Sequence, residues 1–282
     1  MSQQDKSLNE QKYQEHQKRK EMAREQKAAD KERSSQNKSI VALNFDLQKV
    51  LVTPKLFVSD AYYSRKLTTY NLNIYNMSSK DVQCNVWWES EAKTGSCEIA
   101  SCLFYLNQSL GSKDEVVYYS DTCTGQQRNL FFSMMCLYSV VNMPIQMITH
   151  NYFERGYSQM EGDSVHATIE TSTKKLEIYS PSDWITAIKN AKRVDPRYAV
   201  KEIKSEMILN FKEFAEKIVT NRKTDDEGES VVWTSVHSFQ YKKRTNQTNY
   251  ILNTTMMTHT EPLQFYVEDV KVKVQEVLRD IN

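Results

Sequence analysis

Paired cysteine chemistry is what the chain most plainly lacks. Its cysteines, Cys84, Cys97, Cys102, Cys123 and Cys136, are odd in number, and none stands in a Cys-x-x-Cys pair or a Cys/His cluster. That excludes a zinc module and a disulfide framework, and leaves small buried apolar side chains in a reducing compartment. Charge of one sign is missing too. The 37 Lys and Arg against 36 Asp and Glu leave a net charge of +1, which argues neither for nor against nucleic acid as a partner. The first residues are polar and charged, so no secretory leader is expected. A membrane-crossing run is absent: residues 130–148 are apolar enough to raise the question, but Ser133, Asn142, Pro144 and Gln146 interrupt them, at the short limit for a bilayer. The stretch reads as a buried helix ending before Pro144 and then a buried strand. The expectation is an intracellular, soluble protein without a membrane partner.

Residues 1–38 also lack an apolar stripe. Leu8, Tyr13 and Met22 are their few large apolar positions, too few for a coiled coil. The Glu15/Arg19 and Glu21/Arg24 spacings suit a solvated helix. The segment therefore reads as a charged helical or disordered tail. Its local Lys18-Arg19-Lys20 run offers a sharper reading, a basic arm on nucleic acid.

From residue 39 the pattern turns to strands. Ile40–Leu47 places Val41, Leu43, Phe45 and Leu47 on one face, 68–75 alternates with period two, and Val82–Trp88 follows after a turn at 76–80. An antiparallel meander is expected. Next, Ile99, Cys102, Leu103 and Leu106 mark a helix over 98–110, with Gly95-Ser96 as its start signal. A strand at 115–121, a turn with Gly125, a helix at 129–141, a strand at 145–150 and a helix from about Ser164 complete a core over 39–190. Residues 185–220 look helical, 224–229 form a loop, 231–251 resemble two strands, and a closing helix is expected near 267–278. Together, 191–282 read as a small C-terminal α+β extension. Nothing in the composition points to a particular oligomeric state.

Four acids stand at particular places in this order: Asp46 within the first strand, Glu98 opening a helix, Asp121 ending a strand and Asp163 before the late helix. Each alone reads better as a turn or cap residue. As a set they say more. An ionised carboxylate in an apolar strand must be paired, hydrogen-bonded or metal-bound. Two of them on neighbouring strands would repel each other, and a divalent cation is the usual remedy. The order strand-strand-strand-helix-strand-helix-strand-helix is the ribonuclease H topology, an α/β fold with a mixed five-stranded sheet and flanking helices. Its first and fourth strands are parallel neighbours, which would bring Asp46 and Asp121 together. The helix after the third strand would bring Glu98 beside them, and the last helix Asp163, with Glu170 as the competitor for that place.

Sites of this architecture hold two Mg²⁺ or Mn²⁺ ions for in-line phosphoryl displacement, with water or a DNA 3′-hydroxyl as the attacking group. Asp46 would bridge the ions, Asp121 and Glu98 would hold one, and Asp163 the other. His150 and His166 are secondary candidates for proton transfer; a sheet-end and a helix-surface histidine are their plainer readings. Glu89 is a further secondary acid. For a DNA or RNA partner, Arg65 and Lys66 beside Tyr62 and Tyr63, and Gln126 and Arg128 in the loop after Asp121, are the candidate contacts. The plainer readings are a solvated hairpin face and a solvated loop. Trp87, Trp88, Trp184 and Trp233 read as core rather than as stacking platforms.

The same stretches carry a resemblance. FDLQKVLVTPK (45–55), YSRKLTTYN (63–71), WESEAKTGSCEIASC (88–102), SDTCTGQQRN (120–129) and GYSQMEGDSVHATIE (156–170) resemble a family of uncharacterised, transposon-derived proteins abundant in insect and other animal genomes. That family carries a ribonuclease-H-like domain of unknown function. The resemblance spans roughly residues 40–240. It implies descent from a transposase- or integrase-like protein with Asp46, Glu98, Asp121 and Asp163 as its acids, acting on nucleic acid, with the nucleus as the place of action. The chain departs from the family where Tyr157 stands in place of a histidine, and where a Cys/His-rich N-terminal region is replaced by the charged tail. Those departures leave a second expectation open, a catalytically inactive remnant that binds nucleic acid or protein.

Overall fold

The computed structural model describes residues 3–57, 65–153, 160–219, 236–243, 250–255 and 263–267. Its organising element is β1, Ile40–Leu47, whose side chains alternate between two faces of a sheet. Val41, Leu43 and Phe45 enter the larger core, beneath α2 (Ser96–Ser109), α3 (Leu130–Asn142) and α6 (Phe211–Ile218). Ala42, Asn44 and Asp46 face the other way, toward α1 (Gln3–Gln36), α4 (Glu161–Thr173) and α5 (Pro181–Lys189).

Around β1 the sheet is mixed. β3 (Leu67–Asn76) pairs antiparallel with β1, and β4 (Val82–Trp88) antiparallel with β3. β5 (Glu115–Ser120) lies parallel on the other side of β1, followed by the parallel β6 (Met147–Tyr152). The expected meander and the expected parallel neighbours are both present. The buried helix expected from 129 is α3, which ends at Asn142 just before Pro144; its N-cap Asn129 accepts the backbone N–H groups of Phe131 and Phe132 at 3.1 and 3.2 Å. No helix among the described residues is long and apolar enough to cross a membrane.

The sheet is wider than the five strands expected. Among the described residues it has ten, in the order β10-β9-β8-β6-β5-β1-β3-β4-β7, with the short β2 (Leu51–Thr53) also paired to β3. The additions come from beyond residue 190. β7 (Ala199–Glu202) runs parallel to β4 at one edge, and β8 (Ser238–Lys242), β9 (Tyr250–Thr255) and β10 (Leu263–Val267) extend the β6 edge. Open sheet edges present unpaired backbone groups that later segments satisfy. This is why 185–220 is not one helical stretch: Pro196 denies helix propagation, and Ala199–Glu202 pairs with β4 instead. The loop at 224–229, residues 231–235 and nearly all of the helix expected at 267–278 lie outside the described residues.

The N-terminal segment is a helix of 34 residues, and its contact face is polar. The positions turned toward the protein recur at helical spacing: His16, Arg19, Lys20, Ala23, Lys27, Asp30 and Ser34. Asp30 is buried and is held by the Tyr119 hydroxyl at 2.7 Å, Arg33 at 2.7 Å and Gln26 at 3.0 Å. Arg33 reaches on to Glu115 of β5 at 2.5 Å, and Thr149 of β6 donates to the same carboxylate at 2.9 Å. Burial, together with the adjacent Asp30 charge, pushes the Tyr119 phenol well up, so it stays a hydrogen-bond donor. The helix is fastened to the sheet by charge and hydroxyl contacts where an apolar stripe would ordinarily serve.

Removing one buried partner of such a network leaves the others desolvated. Asp30→Ala is expected to lower unfolding free energy by about 2–4 kcal/mol in urea denaturation, whereas the exposed Glu25→Ala should change it by less than about 0.5 kcal/mol. Equal effects from the two would show that the network does not hold α1.

Candidate functional site

The site forms where β1 and β5 end. The last pair of that parallel ladder is Asn44 with Tyr119, and two residues further along the chain from each stand Asp46 and Asp121. On the other side of β1, Asp46 is paired with Asn73 of β3. Strand geometry thus sets three polar residues in a row across the sheet, on the face opposite the larger core.

Helix α4 lies over this row, and Gly162 in its first turn lets it come close. A Cβ at Gly162 would stand 3.0 Å from Asn73 Oδ1, 3.6 Å from Asp46 Cβ and 3.8 Å from Asn44 Oδ1. Next to it, Asp163 caps the helix by accepting the Met160 N–H at 3.2 Å, as a first-turn acid does. One turn on, His166 turns Nδ1 toward Asp46, 3.9 Å from Oδ2, and holds Nε2 against the Asn73 amide. The ligand atoms of Asp46, Asp163 and His166 all lie within 4.8 Å of one another.

The helix is tied down on its other side by Glu161. One carboxylate oxygen of Glu161 accepts from Lys27 of α1 and from Asn44 of β1, each at 2.6 Å. Three separate elements therefore meet at a single oxygen, two residues from Asp163 along α4 and two from Asp46 along β1.

Electrostatics mark Asp46 as the strained member. Its carboxyl is pushed up to about 7, first by burial, then by Asp121, with Asp163 adding a smaller push. The Leu47 N–H, 2.9 Å from Oδ1, offsets part of this. Asp121 is also raised by burial, against the Cys123 N–H that donates to it at 3.0 Å, and the Gln127 amide donates to the same oxygen. Burial lowers His166, while Asp163 and Glu170 pull it back up. The charge of Asp121 thus acts on the buried Asp46, although Asp121 is not one of the three residues whose ligand atoms cluster, and a proton or a cation relieves the cost of ionising Asp46.

The other sequence candidates lie elsewhere. Glu98 sits in the first turn of α2 and accepts the Lys93 N–H at 3.2 Å; the charges that raise Asp46 are those of Asp121 and Asp163. Glu170 is exposed, two turns along α4 from Asp163. His150 is fully buried among Phe45, Tyr118, Phe132 and Tyr152, bonded to the Ser120 hydroxyl at 2.8 Å, and lowered to about 3 by burial. It is a neutral core residue. Arg128 is buried as well, donating to the Val236 carbonyl and stacked over the Tyr152 ring at 5.3 Å, so its guanidinium faces inward. Gln126 is half-buried, Lys66 is exposed, and Arg65 is exposed with Glu89 3.4 Å away. Tyr62, Tyr63, Tyr157 and Trp233 lie outside the described residues. Trp87 and Trp184 are core residues, as expected, while Trp88 is half-buried with Lys204 4.5 Å over its ring. Cys84, Cys102 and Cys136 are buried free thiols.

Sequence reasoning missed Asn44, Asn73, Gln127, Glu161 and Lys27. Asn73 carried a readable signal, because it alternates with Asn71 on a strand that lies between two others. Both residues are fully buried, and among the described residues Asn44 Oδ1, Asn71 Oδ1 and Asn73 Oδ1 have no hydrogen-bond partner. No protein-family profile matches the chain, and no curated protein matches it either.

Because Asp46 titrates near 7 when folded against an ordinary 3.8, the folded protein keeps a proton that the unfolded chain has lost between those values. Stability is thus expected to fall as pH rises from about 4 to about 7 and to remain reduced above that. In EDTA, Asp46→Asn should be more stable than the unsubstituted protein by about 2–4 kcal/mol at pH 8 and nearly equal at pH 4. Urea denaturation at the two pH values measures this, and parallel pH curves would contradict it.

Proposed function

We propose that the chain is a divalent-cation-dependent enzyme of the ribonuclease-H-like, transposase-related class, which hydrolyses or transfers phosphodiester bonds of nucleic acid. One observation carries this reading: Asp46 and Asp121 stand at the same end of adjacent parallel strands, the charge of Asp121 raises the cost of ionising Asp46, and Asp163 and His166 cluster with Asp46 from α4. The order of the five central strands, β4-β3-β1-β5-β6, with the first three antiparallel and the last three parallel, supports the ribonuclease-H-like assignment. The transposon-derived ancestry rests on the sequence stretches quoted above.

The residues present suit a cation. They offer two or three carboxylates and an imidazole, and the fully buried Asn44 has a side-chain oxygen without a partner among the described residues, close to Asp46. Asp46, Asp163 and His166 would hold one ion, and a second would draw on Asp46 and Asp121. When bound, such ions polarise the phosphodiester and neutralise charge developing on its oxygens. The chain's own part is orientation. Gln127 and the Cys123 N–H fix one oxygen of Asp121, the Leu47 N–H fixes one of Asp46, and Lys27 with Asn44 locks Glu161 and so the first turn of α4.

The second reading, an inactive remnant that binds nucleic acid or protein, is favoured by Glu98, whose carboxylate is engaged by Lys93. Nuclease assays on DNA, RNA and RNA–DNA hybrids with Mg²⁺ or Mn²⁺ separate the two. Metal-dependent cleavage that falls at least about a hundredfold in Asp46→Asn and in Asp121→Asn is expected. Absence of cleavage of every substrate, with folding intact, would leave the remnant reading.

A further inference from the structure

We propose that His166 is a direct nitrogen ligand of the cation at Asp46 and Asp163, and that the site therefore selects Mn²⁺ over Mg²⁺. The inference rests on the reading of this cluster as a cation site and adds the identity of the ion. Asp163 and His166 are three residues apart on α4 and so share the helix face that overhangs Asp46. The ligand atoms of Asp46, Asp163 and His166 lie within 4.8 Å of one another, so small side-chain movements bring them within the roughly 4.2 Å that two bonds of about 2.1 Å span across one ion.

The far side of the imidazole decides which nitrogen is available. Nε2 meets the Asn73 side-chain amide, while Asn73 Oδ1 is buried and has no partner. The amide oxygen and nitrogen are interchangeable by a half-turn, and the hydrogen-bond network decides between them. With Oδ1 turned to His166, an Nε2–H donates to it, the orphaned oxygen is satisfied, and the lone pair of Nδ1 points toward Asp46 Oδ2. A ring N–H donated to a carbonyl, with the other nitrogen left to ligate, is how metal-binding histidines are held. Asn73 is itself placed by the β1–β3 register opposite Asp46, so ligand and support come from paired strand positions.

The close seat of the helix is part of the arrangement. The space left by Gly162 between Asn73 Oδ1 and Asp46 Cβ allows α4 to carry His166 and Asp163 down to the sheet. Two carboxylates with one imidazole make a mixed oxygen–nitrogen donor set. Mg²⁺ favours oxygen and water, whereas imidazole suits first-row transition ions.

The test uses the full chain and reads binding, not turnover. Pulsed electron paramagnetic resonance of the Mn²⁺-loaded protein is expected to show coupling to one imidazole nitrogen, and calorimetric competition is expected to show Mn²⁺ preferred to Mg²⁺. In His166→Ala the nitrogen coupling should vanish, and Mn²⁺ affinity should fall about 10–100-fold with little change for Mg²⁺. Mn²⁺ bound without nitrogen coupling, or an unchanged Mn²⁺/Mg²⁺ ratio in His166→Ala, would overturn the inference while leaving a carboxylate cation site standing. Failure of both ions to bind the unsubstituted protein would overturn that site as well. The spectrum of the unsubstituted protein decides the ligand question even if the variant misfolds.

Discussion

Burial of two carboxylates at the ends of neighbouring strands, with the charge of Asp121 adding to the cost of ionising Asp46, is the constraint around which this structure is arranged. Backbone pairing in the β1–β5 ladder sets Asp46 and Asp121 at the same end of neighbouring strands, two residues past its last pair, whether or not their charges favour it. Each receives hydrogen bonds on one oxygen, from Leu47 in the first case and from Cys123 and Gln127 in the second. That leaves Asp46 still short of compensation, and its carboxyl rises to about 7. An ordinary core would not retain such a pair, since well-packed apolar residues of similar volume cost nothing in desolvation. A place built to exchange a proton for a cation has a physical reason to keep it.

The packing around the pair serves closeness and order at once. Gly162 removes the one side chain that would hold α4 off the sheet, and Asp163 then both caps the helix and reaches the cluster. The Glu161 carboxylate gathers Lys27 and Asn44, so that α1, α4 and β1 cannot shift independently without stranding a buried charge. Lys27 also lies 5.2 Å over the Phe153 ring, which shields the pair from water. The N-terminal helix thereby becomes part of the support for the acids, by polar contacts in which Lys27 and Asp30 are buried.

Much of the core was legible from pattern. The alternation in Ile40–Leu47 and Val82–Trp88, the 3.6-residue spacing of Ile99, Cys102, Leu103 and Leu106, and the cap at Asn129 each report a local preference that survives into the fold. The neighbourhood of Asp46 and Asp121 was legible for the same reason, because both acids interrupt apolar strands. Two other positions misled. His150 stood at a strand end, where a functional histidine is plausible, yet its neighbours turned out to be aromatic rings that leave it neutral. Arg128 stood in a loop after an acid, yet the Val236 carbonyl draws it inward from more than a hundred residues away. The polar face of α1 escaped notice because periodicity searches look for apolar stripes, and here the buried positions are Lys27, Asp30 and Ser34.

By itself, then, the sequence determined which segments become strands and helices, and which acids stand at strand ends, since backbone preference and side-chain period act over a few residues. Only the tertiary structure decided that His166 and not Glu98 turns to Asp46, that α1 belongs to the site, and that strands from beyond residue 190 widen the sheet at both edges. Those outcomes depend on desolvation and on partners distant in the chain. The energy of a charge is set by what surrounds it in space, which no local pattern records.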